Sequence, residues 1–285
     1  MPRRALVLGG GGYAAAAWQL GVIAGLADAG VDARGADLLV GTSAGARIAV
    51  ELAGGRGLED LYALEADPAR QSPEPGPAVD PGRWAASIGE AMRSVGSPPE
   101  VLRRLGALSS AFPAEPESER FAEIEGRLPV MPWPERRVLV VAVDADAGGR
   151  RAFDRDSGVD LLDAVAASMA VPGLRPLVMI EGHRYMDGGF YSLDNADLAA
   201  ECDHVLILTL RPSAPAISLV SLPSNLEVLR IKGARFEVVF PDGAGEAAFA
   251  SVHGNLFDPS VRTGAARAGR AQGRGAASLV ESLWR

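Results

Sequence analysis

Apolar positions in this chain come in short unbroken runs rather than in alternation. Ala5–Leu8 is wholly apolar and passes directly into four glycines, Gly9 to Gly12, the pattern of a strand buried on both faces that ends in a tight turn. The Ala-rich stretch Ala14–Ala29 then reads as a helix stopped by Gly30 at its C′ position. Leu38–Val40 is a second buried strand, and Ala46–Leu52 a second helix closed by Gly54-Gly55. Strand, helix, strand, helix at this spacing predicts a parallel sheet with helices packed against it.

The texture changes between about Asp67 and Pro134. Proline patches (Pro73, Pro75, Pro77, Pro81; Pro98-Pro99; Pro113, Pro116; Pro129, Pro132, Pro134) separate short helical pieces. One piece places Trp84, Ile88, Ala91, Met92 and Val95 on a single helical stripe. The section reads as a helical layer closing the core and, more sharply, as a cap over an active site. Sheet texture returns at Arg137–Val143, followed by an Ala-rich helix at Leu161–Ala170 and an apolar run at Val205–Leu210. A Pro- and Ser-rich link leads to a strand at Phe236–Phe240 and a last helix ending in Leu283-Trp284. With no internal repeat, the expected division is one α/β domain over 1–285. Its core spans 5–210, the helical section lies at about 67–134, and 211–285 forms a C-terminal extension.

Composition narrows the function classes. The 285 residues are 48% hydrophobic and 22% charged, which is ordinary for a soluble globular chain. A net charge of −8 argues against nucleic acid as a partner and gives no electrostatic pull toward anionic membrane surfaces. The single cysteine, Cys202, excludes an internal disulfide and a cysteine-rich zinc site and fits a reducing compartment. The apolar run after Met1-Pro2-Arg3-Arg4 is too short for a membrane span and lacks the form of a secretory signal. The expectation is a cytoplasmic location.

Three segments carry candidate chemistry. Gly41-Thr42-Ser43-Ala44-Gly45 matches G-x-S-x-G between a predicted strand and a predicted helix, the setting a nucleophile elbow requires. Gly41 and Gly45 let neighbouring backbone pass close to the turn, and the helix behind Ser43 offers free N–H groups and a positive dipole end. The plainer alternative is a serine that caps the following helix.

The glycine run costs backbone entropy and so needs a reason. One is an anion-holding loop in which the N–H groups of Gly10, Gly11 and Gly12 form an oxyanion hole. The other is a dinucleotide loop, because Gly9-x-Gly11-x-x-Ala14 fits G-x-G-x-x-G/A. That alternative wants an acidic residue at the end of the second strand, where Ser43 follows instead; Asp32 and Asp37 lie before the strand.

A nucleophilic serine needs a base. The three histidines, His183, His204 and His253, lie in no local triad pattern; His204 and His253 read as surface residues, while His183 stays a candidate beside the third segment. That segment is Tyr185-Met186-Asp187-Gly188-Gly189, a carboxylate presented on a turn by two glycines. Taken alone, Asp-Gly is also a common hairpin signal.

In this order the glycine loop, the elbow and the Asp-Gly-Gly segment resemble the patatin-like phospholipase family. Trp18-Gln19-Leu20-Gly21-Val22, the run from Ala167 through Ser168 to Gly173, and Asn195-Ala196-Asp197-Leu198-Ala199 add to the likeness, which covers roughly Ala5 to Leu210. The resemblance implies a patatin-like three-layer α/β sandwich with a mostly parallel central sheet. It implies a Ser43–Asp187 dyad without catalytic histidine, an oxyanion loop at Gly10–Gly12, and hydrolysis of lipid or small acyl esters without metal or cofactor. It also implies transient contact with a membrane surface. A relative that binds lipid without catalysis is the further alternative. The sequence departs from the family after the glycines, where Tyr13-Ala14-Ala15-Ala16-Ala17 stands in place of the usual cation and glycine. That departure unsettles any preference for phosphorylated head groups.

Overall fold

The computed structural model describes residues 2–71, 79–112, 124, 128, 132–211 and 217–285. Of the Pro-rich section, Pro73, Pro75, Pro77, Pro113, Pro116 and Pro129 lie outside them.

The sheet grows from its most apolar strand. β1 (Arg4–Leu8) has Ala5 through Leu8 fully buried and pairs in parallel with β2 (Leu38–Thr42) on one side and β7 (His204–Leu208) on the other. β3 (Arg137–Asp144) extends the parallel set beyond β2, and β8 (Arg235–Val239) beyond β7. Three short strands are antiparallel: β4 (Gly149–Phe153) and β6 (His183–Asp187) on β3, and β5 (Val178–Ile180) on β6. The sheet is therefore mixed and mostly parallel; hydrogen-bonded neighbours run β5-β6-β3-β2-β1-β7-β8, with β2 and β6 sharing one edge of β3 and β4 paired to the other.

Strands without alternation need cover on both faces, and both are covered. One face packs on α1 (Gly12–Asp28), α2 (Ala44–Ala53), α3 (Leu58–Ala66) and α6 (Leu161–Ser168). The other takes α7 (Leu222–Ile231) and the turn Ala196–Ala199. Between them in sequence come α4 (Pro81–Arg93) and α5 (Pro98–Ala107), which pack over one end of the sheet with Val143, Met186 and Phe190 in an apolar cluster of their own. α8 (Gly243–Ala250) and α9 (Arg262–Trp284) complete the chain.

Two expectations change here. Val95 does not join the α4 stripe: the helix ends at Arg93, Ser94 Oγ donates to the Ala91 carbonyl, and Val95 is 95% exposed. The C-terminal extension is also more than a lone strand and helix. α9 lies along α1 so closely that a methyl on Gly21 or Gly25 would stand 2.2 or 2.1 Å from the Ala266 or Arg270 carbonyl oxygen. On the other side, a methyl on Gly269 or Gly273 would meet the Trp18 or Val22 carbonyl oxygen at 2.2 or 2.1 Å. A buried ionic cluster fixes the start of α9. Glu65 holds Arg47 at 2.9 Å and Arg262 at 2.5 Å, and Arg47 also reaches Glu51 at 2.8 Å. The four charges cancel, so none is left unpaired in the interior. Among the described residues no helix is long and apolar enough to cross a membrane.

Candidate active site

The elbow forms where β2 turns into α2. Ser43 stands between them with φ 55° and ψ −124°, a conformation rare for a side-chain-bearing residue that costs on the order of 1–3 kcal/mol and must be held by its surroundings. The holding contacts are visible. The Ser43 N–H donates to Ser168 Oγ at 2.9 Å, and that hydroxyl donates in turn to the Val141 carbonyl at 2.6 Å. The flanking glycines are demanded by close approach: a methyl on Gly41 would stand 2.4 Å from the Ala46 Cα, and one on Gly45 would stand 2.1 Å from the Leu8 carbonyl oxygen. The Ser43 side chain makes no capping bond to α2, so the helix-cap alternative does not hold.

β2 and β6 approach along the same edge of β3. Thr42 pairs with Val141 and Asp187 with the next residue, Ala142, while β4 occupies the opposite edge at both positions. β2 runs parallel to β3 and β6 antiparallel, so the two strands meet end to end, with Ser43 just beyond one end and Asp187 at the other. Asp187 is 4% exposed, and its Oδ1 accepts the Gly189 N–H at 2.7 Å. Gly188 is needed by contact, since a methyl there would stand 2.3 Å from the Val141 carbonyl oxygen. Asp187 thus leads into a tight 3-10 turn, Gly188–Phe190, rather than a hairpin.

The glycine loop closes the third side. A methyl on Gly10 would stand 3.1 Å from the Ser43 Cβ, but the Gly10 N–H donates to the Leu193 carbonyl at 2.9 Å. That corrects the expectation that Gly10 offers its N–H to an oxyanion. Gly11 and Gly12 have φ of 136° and 61°, and among the described residues their N–H groups meet no acceptor. Gln19, fully buried, fixes the base of the loop by donating to the Gly9 and Leu208 carbonyls at 2.8 and 3.2 Å.

These three parts line one cavity of about 420 Å³, which contains Ser43, Asp187 and Gly10 to Gly12 on its wall. The histidines divide differently from expectation. His204 is no surface residue: it lies in β7, 7% exposed, and burial pushes its imidazole below the usual value. His183 opens β6, four residues and so about 13 Å from Asp187; its Nδ1 lies 2.9 Å from Asp144, and it is not on the cavity wall. His253, in the turn after α8 with φ 54°, is exposed as expected but also borders the cavity.

Several supporting residues had no assigned role in the sequence. Asn195, at φ 50°, donates to Thr42 Oγ1 at 3.0 Å and to the Ser192 carbonyl at 2.6 Å, tying the elbow to the segment after Gly188. Arg150 braces that segment from outside through a bidentate pair with Asp197, both bonds 2.7 Å. Asp194, whose carboxyl burial pushes above the usual range, accepts the Asn225 amide at 2.7 Å. Ser168 and Asn195 sit in segments that carry the family likeness, which was their only signal. The loop 253–257 gave none, yet the Leu256 carbonyl accepts the Ala14 N–H at 3.2 Å and backs Gly12. Among the described residues, no group of three or more His, Cys, Asp or Glu side chains is placed to hold a metal ion.

The protein is thus of the α/β class, a parallel-centred sandwich in which the strand–turn–helix at Ser43, a glycine loop and an Asp-Gly-Gly turn line one cavity. The model of the patatin-like phospholipase family matches residues 6–200, and the chain belongs to that family. Comparison with curated protein sequences returns no match. Among solved structures the chain is similar to VipD from Legionella pneumophila, at 16% identity and TM-score 0.42, over 74% of this chain and 50% of that one. It is similar to the type III effector protein ExoU at 15% identity and TM-score 0.42, over 98% and 54%. A second ExoU structure, in complex with SpcU from Pseudomonas aeruginosa, aligns at 18% identity and TM-score 0.37, over 95% and 53%. The chain spans about half the length of the structures it matches.

Proposed function

We propose that the protein is a serine acyl-ester hydrolase that uses Ser43 as nucleophile and Asp187 as general base. The observation that carries this reading is the meeting of β2 and β6 on consecutive residues of β3, which brings Ser43 and Asp187 to one cavity. Ser43 Oγ attacks the acyl carbonyl carbon while its proton passes to the Asp187 carboxylate. The Gly11 and Gly12 N–H groups, with that of Ala44 at the start of α2, are the donors on offer to the oxyanion. Collapse breaks the ester bond, and Asp187 returns the proton to the departing alcohol oxygen, leaving Ser43 acylated. Water then attacks the acyl carbon, gives a proton to Asp187, and Ser43 recovers it as the fatty acid leaves.

A carboxylate is a weak base for a hydroxyl, so oxyanion stabilisation supplies a large share of the rate. The strained turn at Ser43 supports the reading, since strain of this kind persists at sites where the geometry is used. The dinucleotide alternative lacks its acidic ribose partner, because β2 ends at Thr42 and Ser43. The test is turnover of p-nitrophenyl butyrate with covalent labelling by a fluorophosphonate. Both activities are expected in the native protein and neither in Ser43→Ala; undiminished turnover in that variant overturns the reading.

A further inference from the structure

The cavity has a wall that ester cleavage itself does not require. Trp84 from α4 and Phe257 from the C-terminal segment meet edge to face, with ring centroids 6.1 Å apart and planes at 81°. Each ring also neighbours a further segment. Trp84 Nε1 donates to the Pro172 carbonyl at 2.8 Å, and Phe257 Cδ1 stands 3.1 Å from where a Cβ on Gly12 would lie. The pair therefore bridges from the glycine loop to the turn at Pro172, two segments far apart in the chain. Val171, Leu174, Phe190 and Leu210 make the neighbouring wall apolar. Arg211 is the one guanidinium among the described lining residues, and its charge is already engaged: Nε lies 2.9 Å from Glu246, with the group over the Phe240 ring.

Resting on the reading of Ser43 as nucleophile, we propose that this cavity is a slot for one straight acyl chain of medium length, closed by the Trp84–Phe257 bridge. The preferred substrate is an uncharged ester of such a chain. Its volume is about 420 Å³. That volume lies low in the range of small-molecule pockets, about 300–1,000 Å³, which is room for one acyl chain of medium length rather than two. A lipid with two long chains has several times that bulk, so at most one of its chains lies in the cavity. The one guanidinium on the described wall is already paired with Glu246, which points to a neutral leaving group.

The experiment is a kcat/KM series with p-nitrophenyl esters from butyrate to palmitate on the full chain, normalised to the fraction labelled by fluorophosphonate. Specificity is expected to rise by up to about fourfold per added methylene while apolar wall remains to be covered. It then breaks near octanoate or decanoate and falls toward palmitate. Phe257→Ala and Trp84→Ala are each expected to move the break to longer chains; Phe257→Leu, which keeps most of the bulk, checks the result should either alanine variant fail to fold. Octanoylglycerol is expected to be cleaved several-fold better than the same ester bearing a glycerol phosphate. A profile that climbs to palmitate, a break unmoved in every folded variant, or a preference for the phosphate ester overturns the slot while labelling persists. Absence of both labelling and turnover with every ester overturns the hydrolase reading and the slot with it.

Discussion

Ser43 and Asp187 belong to strands that meet end to end on one edge of β3, where Thr42 pairs with Val141 and Asp187 with the adjacent Ala142. The proposed nucleophile and base are thus placed by backbone pairing rather than by a flexible loop. The Asp187 carboxylate has a second task, because its Oδ1 accepts the Gly189 N–H. Asp187→Asn keeps that acceptor but loses the base. It is expected to lower kcat about 10²- to 10⁴-fold with an unchanged thermal midpoint. A variant that retains native kcat would remove Asp187 from the mechanism.

Ser168 acts at one remove. Its hydroxyl joins the Ser43 N–H to the Val141 carbonyl inside the core. Ser168→Ala leaves the strained elbow N–H without its partner, at a cost of about 1–3 kcal/mol. The expected result is a lower midpoint of urea unfolding together with slower fluorophosphonate labelling. Loss of stability with native labelling kinetics would make Ser168 purely structural.

The α1–α9 contact gives a paired test on one helix. A methyl on Gly269 would stand 2.2 Å from the Trp18 carbonyl oxygen, whereas one on Gly275 meets nothing within 4 Å. Gly269→Ala is therefore expected to destabilise by about 1–3 kcal/mol or more through overpacking. Gly275→Ala is expected to stabilise by about 0.5–1 kcal/mol through helix propensity alone. Equal effects at the two positions in chemical denaturation would contradict the packing.

The same contact predicts an acid limb. The Arg270 guanidinium, with Arg274 beside it, holds the Asp28 carboxyl well below the usual carboxylate range. A depressed folded-state value means the stabilisation is fully present above the unfolded value of about 3.9 and is lost as pH falls through the folded one. Asp28→Asn is expected to lower stability near neutrality and to flatten the decline below about pH 4. An unchanged acid limb in the variant would assign that decline to other carboxylates.

Much of this was legible in the chain. Apolar runs without alternation announce strands covered on both faces, and β1, β2, β3 and β7 lie where those runs fall. The three glycine-bearing segments were readable because Gly12, Gly41, Gly45 and Gly188 each answer a close backbone approach, as Gly45 does at the Leu8 carbonyl. Less was legible where placement depends on distant pairing. Only the register on β3 separates Asp187 from His183, and only the Leu193 carbonyl removes the Gly10 N–H from the loop's free donors. The bridge of Phe257 to Trp84 joins residues from opposite halves of the chain, and nothing local in either marks the other.

The central claim is that Ser43 is the nucleophile, and covalent trapping followed by peptide mass mapping tests it most directly. One fluorophosphonate adduct is expected, on the peptide that contains Ser43, formed in step with the loss of ester turnover and absent from Ser43→Ala. An adduct on any other residue, or turnover that survives full labelling or the Ser43→Ala change, would contradict it.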